Sequence, residues 1–145
     1  MATTLFFRQT VHIIAPPEKV WDALINPEIT PQYMSGCEVV SDWLPGNPIT
    51  WRNVTNKVEY IKGNVITFEP EKELSYTAFD PAAGYIDDPT NYLTTSYKLF
   101  QENNGTRLEV SLGDFASVEN GEIRYREAEI NWEMTLNSFK RLLED

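Results

Sequence analysis

The chain has 145 residues, the size of one domain, and a domain of that length buries roughly 70% of the surface its unfolded form exposes. Hydrophobic residues make up 41% and charged residues 23%, a balance that excludes global disorder. Acids outnumber bases 22 to 12, and the formal charge of −10 repels polyanions, which excludes nucleic acid and anionic membrane as partners.

Leu5 to Ile14 is rich in β-branched and aromatic residues and predicts a strand, with Val11 and Ile13 on one side and Thr10, His12 and Ile14 on the other. Ala15-Pro16-Pro17 ends it, because proline cannot donate to a ladder. Pro17 to Asn26 predicts a short helix with Val20, Trp21 and Leu24 on its apolar face and Glu18 in its first turn. Asn26-Pro27 breaks it, and Pro27 to Met34 predicts a second short helix. Strands follow at Glu38–Ser41, Ile49–Asn53, Val58–Phe68 and Glu73–Phe79, with Gly63-Asn64 as a bend, bulge or hairpin turn inside the third of these. Asp80 to Asn91 holds Pro81, Gly84 and Pro89 and predicts a long loop, of the kind that serves as a lid. Tyr92–Gln101 and Thr106–Leu112 predict a hairpin closed by Glu102-Asn103-Asn104-Gly105. The last element is a helix over Gly121–Glu144, with Asn120 as N-cap. Ala128, Trp132, Leu136, Phe139 and Leu143 form its stripe, and Ile123, Ile130 and Met134 are expected to widen it. Glu127, Glu129, Glu133, Lys140 and Arg141 are expected to face water. Sequential strands on short turns imply an antiparallel meander. Its apolar face needs a cover, and the last helix, about 36 Å long at ~1.5 Å per residue, is the one element long enough. The expected architecture is α+β: a curved antiparallel sheet of about six strands wrapped around a long C-terminal helix, with two short helices after the first strand.

Several segments resemble one family in order along nearly the whole chain. They are Ala15-Pro16-Pro17-Glu18-Lys19-Val20-Trp21-Asp22-Ala23-Leu24 with Asn26-Pro27-Glu28, then Gly63-x-Val65 with Phe68-Glu69-Pro70 and Leu74, then Gly105-Thr106-x-Leu108, and last Trp132-x-x-x-Leu136-x-x-Phe139. The pattern resembles the proteins similar to the C-terminal domain of the activator of Hsp90 ATPase, within the START and Bet v 1-like superfamily. That resemblance implies one helix-grip domain over residues 1–145 with a cavity between helix and sheet, used elsewhere in the superfamily for lipids, sterols or polyketides. It also implies possible chaperone contact as an alternative, and a cyclase or hydrolase as a more distant one. The family usually has glycine before the tryptophan of the last helix, whereas this chain has Asn131.

Catalytic and metal-binding chemistry finds little to stand on. His12 is the sole histidine and lies on the predicted outer face of a strand, without an orienting partner. Cys37 is the sole cysteine, has no neighbouring cation, and reads as a small buried hydrophobe; its solitude fits a reducing compartment. Asp80, Asp87 and Asp88 lack the spacing of a calcium loop. No catalytic residue, metal ligand or cofactor is therefore expected. The first residues lack a leader pattern and no window is apolar enough to span a bilayer, so the expected location is cytoplasmic. The aromatic residues, 12% of the chain, are the stronger signal. Strand parity puts Trp51, Tyr60, Tyr76, Tyr97 and Leu99 on the inner face, while Tyr33 and Met34 come from the second short helix and Trp132 and Leu136 from the last helix. Tyrosine hydroxyls among apolar walls suit a small hydrophobic or amphipathic ligand bound without covalent chemistry, in a monomer or weak homodimer.

Overall fold

The computed structural model describes residues 4–144. Seven strands form one antiparallel sheet: β1 (Phe7–Ile13), β2 (Cys37–Ser41), β3 (Pro48–Asn53), β4 (Glu59–Glu69), β5 (Glu73–Ala78), β6 (Leu93–Glu102) and β7 (Gly105–Gly113). The order across the sheet is β1-β7-β6-β5-β4-β3-β2. From β2 to β7 the chain meanders, each strand pairing with the next. β1 then closes the far edge by pairing antiparallel with β7, Phe7 opposite Leu112 and Ile13 opposite Thr106. The stretch between β1 and β2 must therefore cross the whole sheet. It does so through α1 (Pro17–Ile25) and one 3-10 turn at Thr30–Gln32. The second short helix is thus a single turn: Pro27 and Pro31 leave too few backbone donors for a longer ladder.

α2 (Gly121–Glu144) has the predicted bounds and lies against the concave face. The long helix gripped by a curved sheet is the expected helix-grip α+β fold, with seven strands in place of about six. Buried Leu136, Phe139 and Leu143 anchor its C-terminal half. Its N-terminal half sits higher, with Tyr125, Ala128 and Trp132 only half-buried. Asn120 adopts a left-handed φ of 54° and caps through its carbonyl, which accepts from the Arg124 N–H, not through its side chain. Gly121 is required beside it, because a Cβ there would lie 1.7 Å from the Phe115 carbonyl oxygen.

Alternation along β1 holds as predicted: Val11 and Ile13 are buried while Thr10, His12 and Ile14 are exposed. In β4 it does not, and the pairing explains why. Val65 faces Tyr76 but Thr67 faces Ser75, so Ile66 is an extra residue in a bulge. A second irregularity sets Trp51 against Ile61 and Arg52 against Glu59, which leaves Tyr60 over. Each side chain beyond a bulge changes face. Gly63 is not the bulge. It is buried mid-strand, where a Cβ would lie 1.7 Å from the Thr77 carbonyl oxygen.

Candidate functional site

Three strands of the concave face, β3, β5 and β6, supply a row of aromatic rings. Trp51 on β3 lies 6.3 Å from Tyr76 on β5, centroid to centroid, and Tyr76 lies 6.4 Å from Tyr97 on β6. Tyr97 in turn lies 6.1 Å from Trp132 on α2. The first three are buried, and half-buried Trp132 is where the row reaches the surface. All three spacings are wide and all three ring pairs tilted, in contrast to Tyr33 and Phe139, whose edge-on rings are 4.7 Å apart.

The row carries polar groups into an apolar interior. The Tyr76 hydroxyl lies among those of Tyr97 and Thr95 and the indole of Trp51. Thr95 sits directly across from Tyr76 in the β5–β6 register, two residues before Tyr97 on the same face, so the strand pairing itself gathers these groups. The indole Nε1–H of Trp51 has no hydrogen-bond partner, although it is fully buried. It lies near the Tyr76 hydroxyl, but the contact falls short of a well-formed bond. An orphaned buried donor costs about 1–3 kcal/mol, so the arrangement is stabilised by any acceptor that reaches it. Burial drives all three tyrosines toward the neutral form. The Tyr76 pKa is pushed up to about 12, and those of Tyr33 and Tyr97 rise well above the ordinary value. The site is consequently uncharged at neutral pH, with hydroxyls that donate or accept.

Of the nine residues proposed from the sequence, the structure brings most to this region. Trp51, Tyr76, Tyr97 and Trp132 form the row, and Leu99 and Leu136 are buried in the same core. Met34 is half-buried against that core. Tyr33 is buried, but its hydroxyl is already committed: it donates to the Ala23 carbonyl at 2.6 Å. Tyr60 is the correction. It is 40% exposed, because counting inward-facing residues back from Phe68 crosses the bulge at Ile66. Its neighbour Ile61 takes the inner position. Thr95 was missed, although alternation with Tyr97 placed it on the same face.

The other candidates fall outside this region. His12 is exposed and, contrary to the expectation of no partner, its Nδ1 lies 3.0 Å from Glu102. Cys37 is buried, and burial raises its pKa. Among the described residues no cluster of three His, Cys, Asp or Glu side chains is placed to hold a metal, and no helix is long and apolar enough to cross a membrane. Asn131 is exposed, so its amide stays out of the interior.

Two clefts open on the outer surface of the described residues. One, of about 330 Å³, lies between the end of β1 and the β6–β7 turn; the other, of about 200 Å³, crosses the outer face of β1, β7 and β6. Neither reaches the aromatic row. The loop between β5 and β6 is pinned beside the start of α2. Lys62 pairs with Asp87, the Arg124 guanidinium stacks 4.4 Å from the Tyr85 ring, and Arg124 also donates to the Asn91 carbonyl.

The chain is similar to several solved structures. A solution structure of a protein from Cytophaga hutchinsonii is 34% identical, covers 99% of this chain and 97% of its own, and superposes with a TM-score of 0.79. A crystal structure of a protein from Mesorhizobium loti is 21% identical, with 96% of each chain covered and a TM-score of 0.76. A solution structure of the Aha1 dimer from Colwellia psychrerythraea is 18% identical, covers 97% of this chain and 96% of its own, and has a TM-score of 0.75. The last two show the fold alone. No functionally curated protein matches the chain. The family model described as activator of Hsp90 ATPase homolog 1-like protein matches residues 14–144, nearly the whole chain, and the chain belongs to that family.

Proposed function

We propose that the aromatic row binds a small, uncharged, largely apolar molecule with one hydrogen-bond acceptor. The orphaned, buried N–H of Trp51 carries this reading. An acceptor on the ligand satisfies that donor, while Tyr76, Tyr97, Leu99 and Leu136 supply apolar wall and Tyr33 and Met34 close the far side. No buried cation lies in the row to compensate an anionic ligand, so a carboxylate would lose its hydration without repayment. Entry runs past Trp132, whose ring must swing aside together with the loosely seated first half of α2. The role is binding without covalent chemistry.

The test uses a neutral aromatic ketone and its parent hydrocarbon as probes, titrated against the intact protein by calorimetry. The ketone is taken up one to one, and Trp51→Phe, which keeps the ring and loses the N–H, weakens it by about 10-fold, or ~1.4 kcal/mol, while sparing the hydrocarbon. Absence of any uptake at ~1 mM overturns the reading.

A second reading rests on the family description, contact with a chaperone. The −10 charge would make such contact salt-sensitive. A pull-down at low salt that retains no chaperone counts against it.

A further inference from the structure

α2 is apolar on two opposite sides. One side holds Phe139, Leu136 and Leu143 in the core. At about 100° per residue, Ile123, Ile130 and Met134 fall within roughly 40° of one another on the other side. They are 59%, 64% and 65% exposed. Three large apolar side chains aligned on the pole of a helix are not what solvation selects, since that face is ordinarily polar.

The charges around this stripe are distinctive. Of the chain's 22 acids and 12 bases, α2 holds five acids (Glu122, Glu127, Glu129, Glu133, Glu144) and four bases (Arg124, Arg126, Lys140, Arg141). That leaves 17 acids against 8 bases elsewhere. The α2 surface is close to neutral on a molecule that is otherwise strongly acidic, so it is where a second copy meets the least repulsion. Lys140 and Glu144 are occupied with each other, 2.7 Å apart. Arg126, Glu127 and Arg141 flank the stripe and form no ion pair among the described residues.

We propose that α2 is a self-association surface on which two copies pair antiparallel about a two-fold axis at the level of Trp132. In that register Ile130 of each copy packs on Met134 of the other. Ile123 covers the aliphatic stem of the other copy's Arg141. Glu127 falls one turn from that Arg141, within reach of an ion pair, and symmetry makes the pair twice. Registers that set Ile130 on Ile130 bring Glu127 near Glu133 and are disfavoured. A single helix pair buries less than the ~1,200 Å² of a stable interface, so the dimer is weak and forms with rising concentration.

Sedimentation velocity of the intact chain from ~10 μM to ~1 mM, at ~0.15 M salt to screen the net charge, tests this. The expected result is a rise in mass from 16.7 kDa toward twice that value. Ile130→Glu and Met134→Glu, both on exposed positions that leave folding intact, hold the protein monomeric throughout. Glu127→Arg and Arg141→Glu each raise the dissociation constant about 10-fold, and the double exchange restores it. Ile66→Glu, at an exposed apolar residue on the outer sheet face, changes nothing. A wild type that stays monomeric at ~1 mM overturns the proposal. So does association that survives Ile130→Glu, or that Ile66→Glu abolishes.

Discussion

Replacing Tyr33 with phenylalanine removes one oxygen and leaves the ring packed edge-on against Phe139. The consequence follows from the end of α1. Ala23 sits in the last turn of that helix, and its carbonyl would normally accept from residue 27. That residue is Pro27, which has no N–H. The Tyr33 hydroxyl fills the place from ten residues away, donating at 2.6 Å to a residue with no exposed surface. In Tyr33→Phe the carbonyl has no partner and water cannot reach it. Such a group costs about 1–3 kcal/mol. A domain near this size loses about 2–4 °C in Tm per kcal/mol, so the fall is about 4–8 °C for the middle of that range. Thermal and urea unfolding of the variant measure it, with Tyr60→Phe as control. Tyr60 is exposed and accepts only a 3.3 Å contact from Asn56, so the control stays within ~0.5 kcal/mol of wild type. If Tyr33→Phe also falls within that margin, the hydroxyl does not cap α1, and Tyr33 returns to the set of groups free to meet a ligand.

Gly63→Ala places a Cβ against the backbone of β5, 1.7 Å from the Thr77 carbonyl oxygen, where neither strand can yield without breaking the ladder. The expected loss is about 3 kcal/mol or more by chemical denaturation. Gly46→Ala meets nothing within 4 Å and strains only a φ of +90°, so its loss is about 1–2 kcal/mol; equal losses at the two sites would refute the steric account. Alkaline titration gives the pH dependence. Burial raises the pKa of Tyr76 from 10.0 to about 12 and raises Tyr33 and Tyr97 as well. A raised pKa means the neutral form stabilises the fold fully below pH 10, and that contribution, roughly 3 kcal/mol for Tyr76, is lost as pH climbs through the folded value. Tyrosinate absorbance should therefore appear last from these three, together with unfolding seen by circular dichroism. Complete ionisation while the native spectrum persists would contradict their burial.

Much of this molecule was legible in its sequence because the relevant signals are local. Alternation fixed the faces of β1 and β6, and helical spacing fixed α2 from Gly121 to Glu144. The same parity assembled Trp51, Tyr76 and Tyr97 on one face, since three uninterrupted strands keep their period. Spacing also separated Ile123, Ile130 and Met134 from the core stripe by about half a turn of the wheel, although they were expected to join it. How deeply the sheet grips the helix decided that they face solvent. Pairing decided the rest. Whether Tyr60 or Ile61 points inward depends on one extra residue, Ile66, and a bulge exists only relative to the partner strand. That β1 closes the sheet edge beside β7, that the Tyr33 hydroxyl is consumed by α1, and that the Trp51 N–H is left without a partner are facts about residues far apart in sequence. A sequence states which groups can hydrogen-bond; only the packed fold determines which of them find partners, because the partners arrive from other strands.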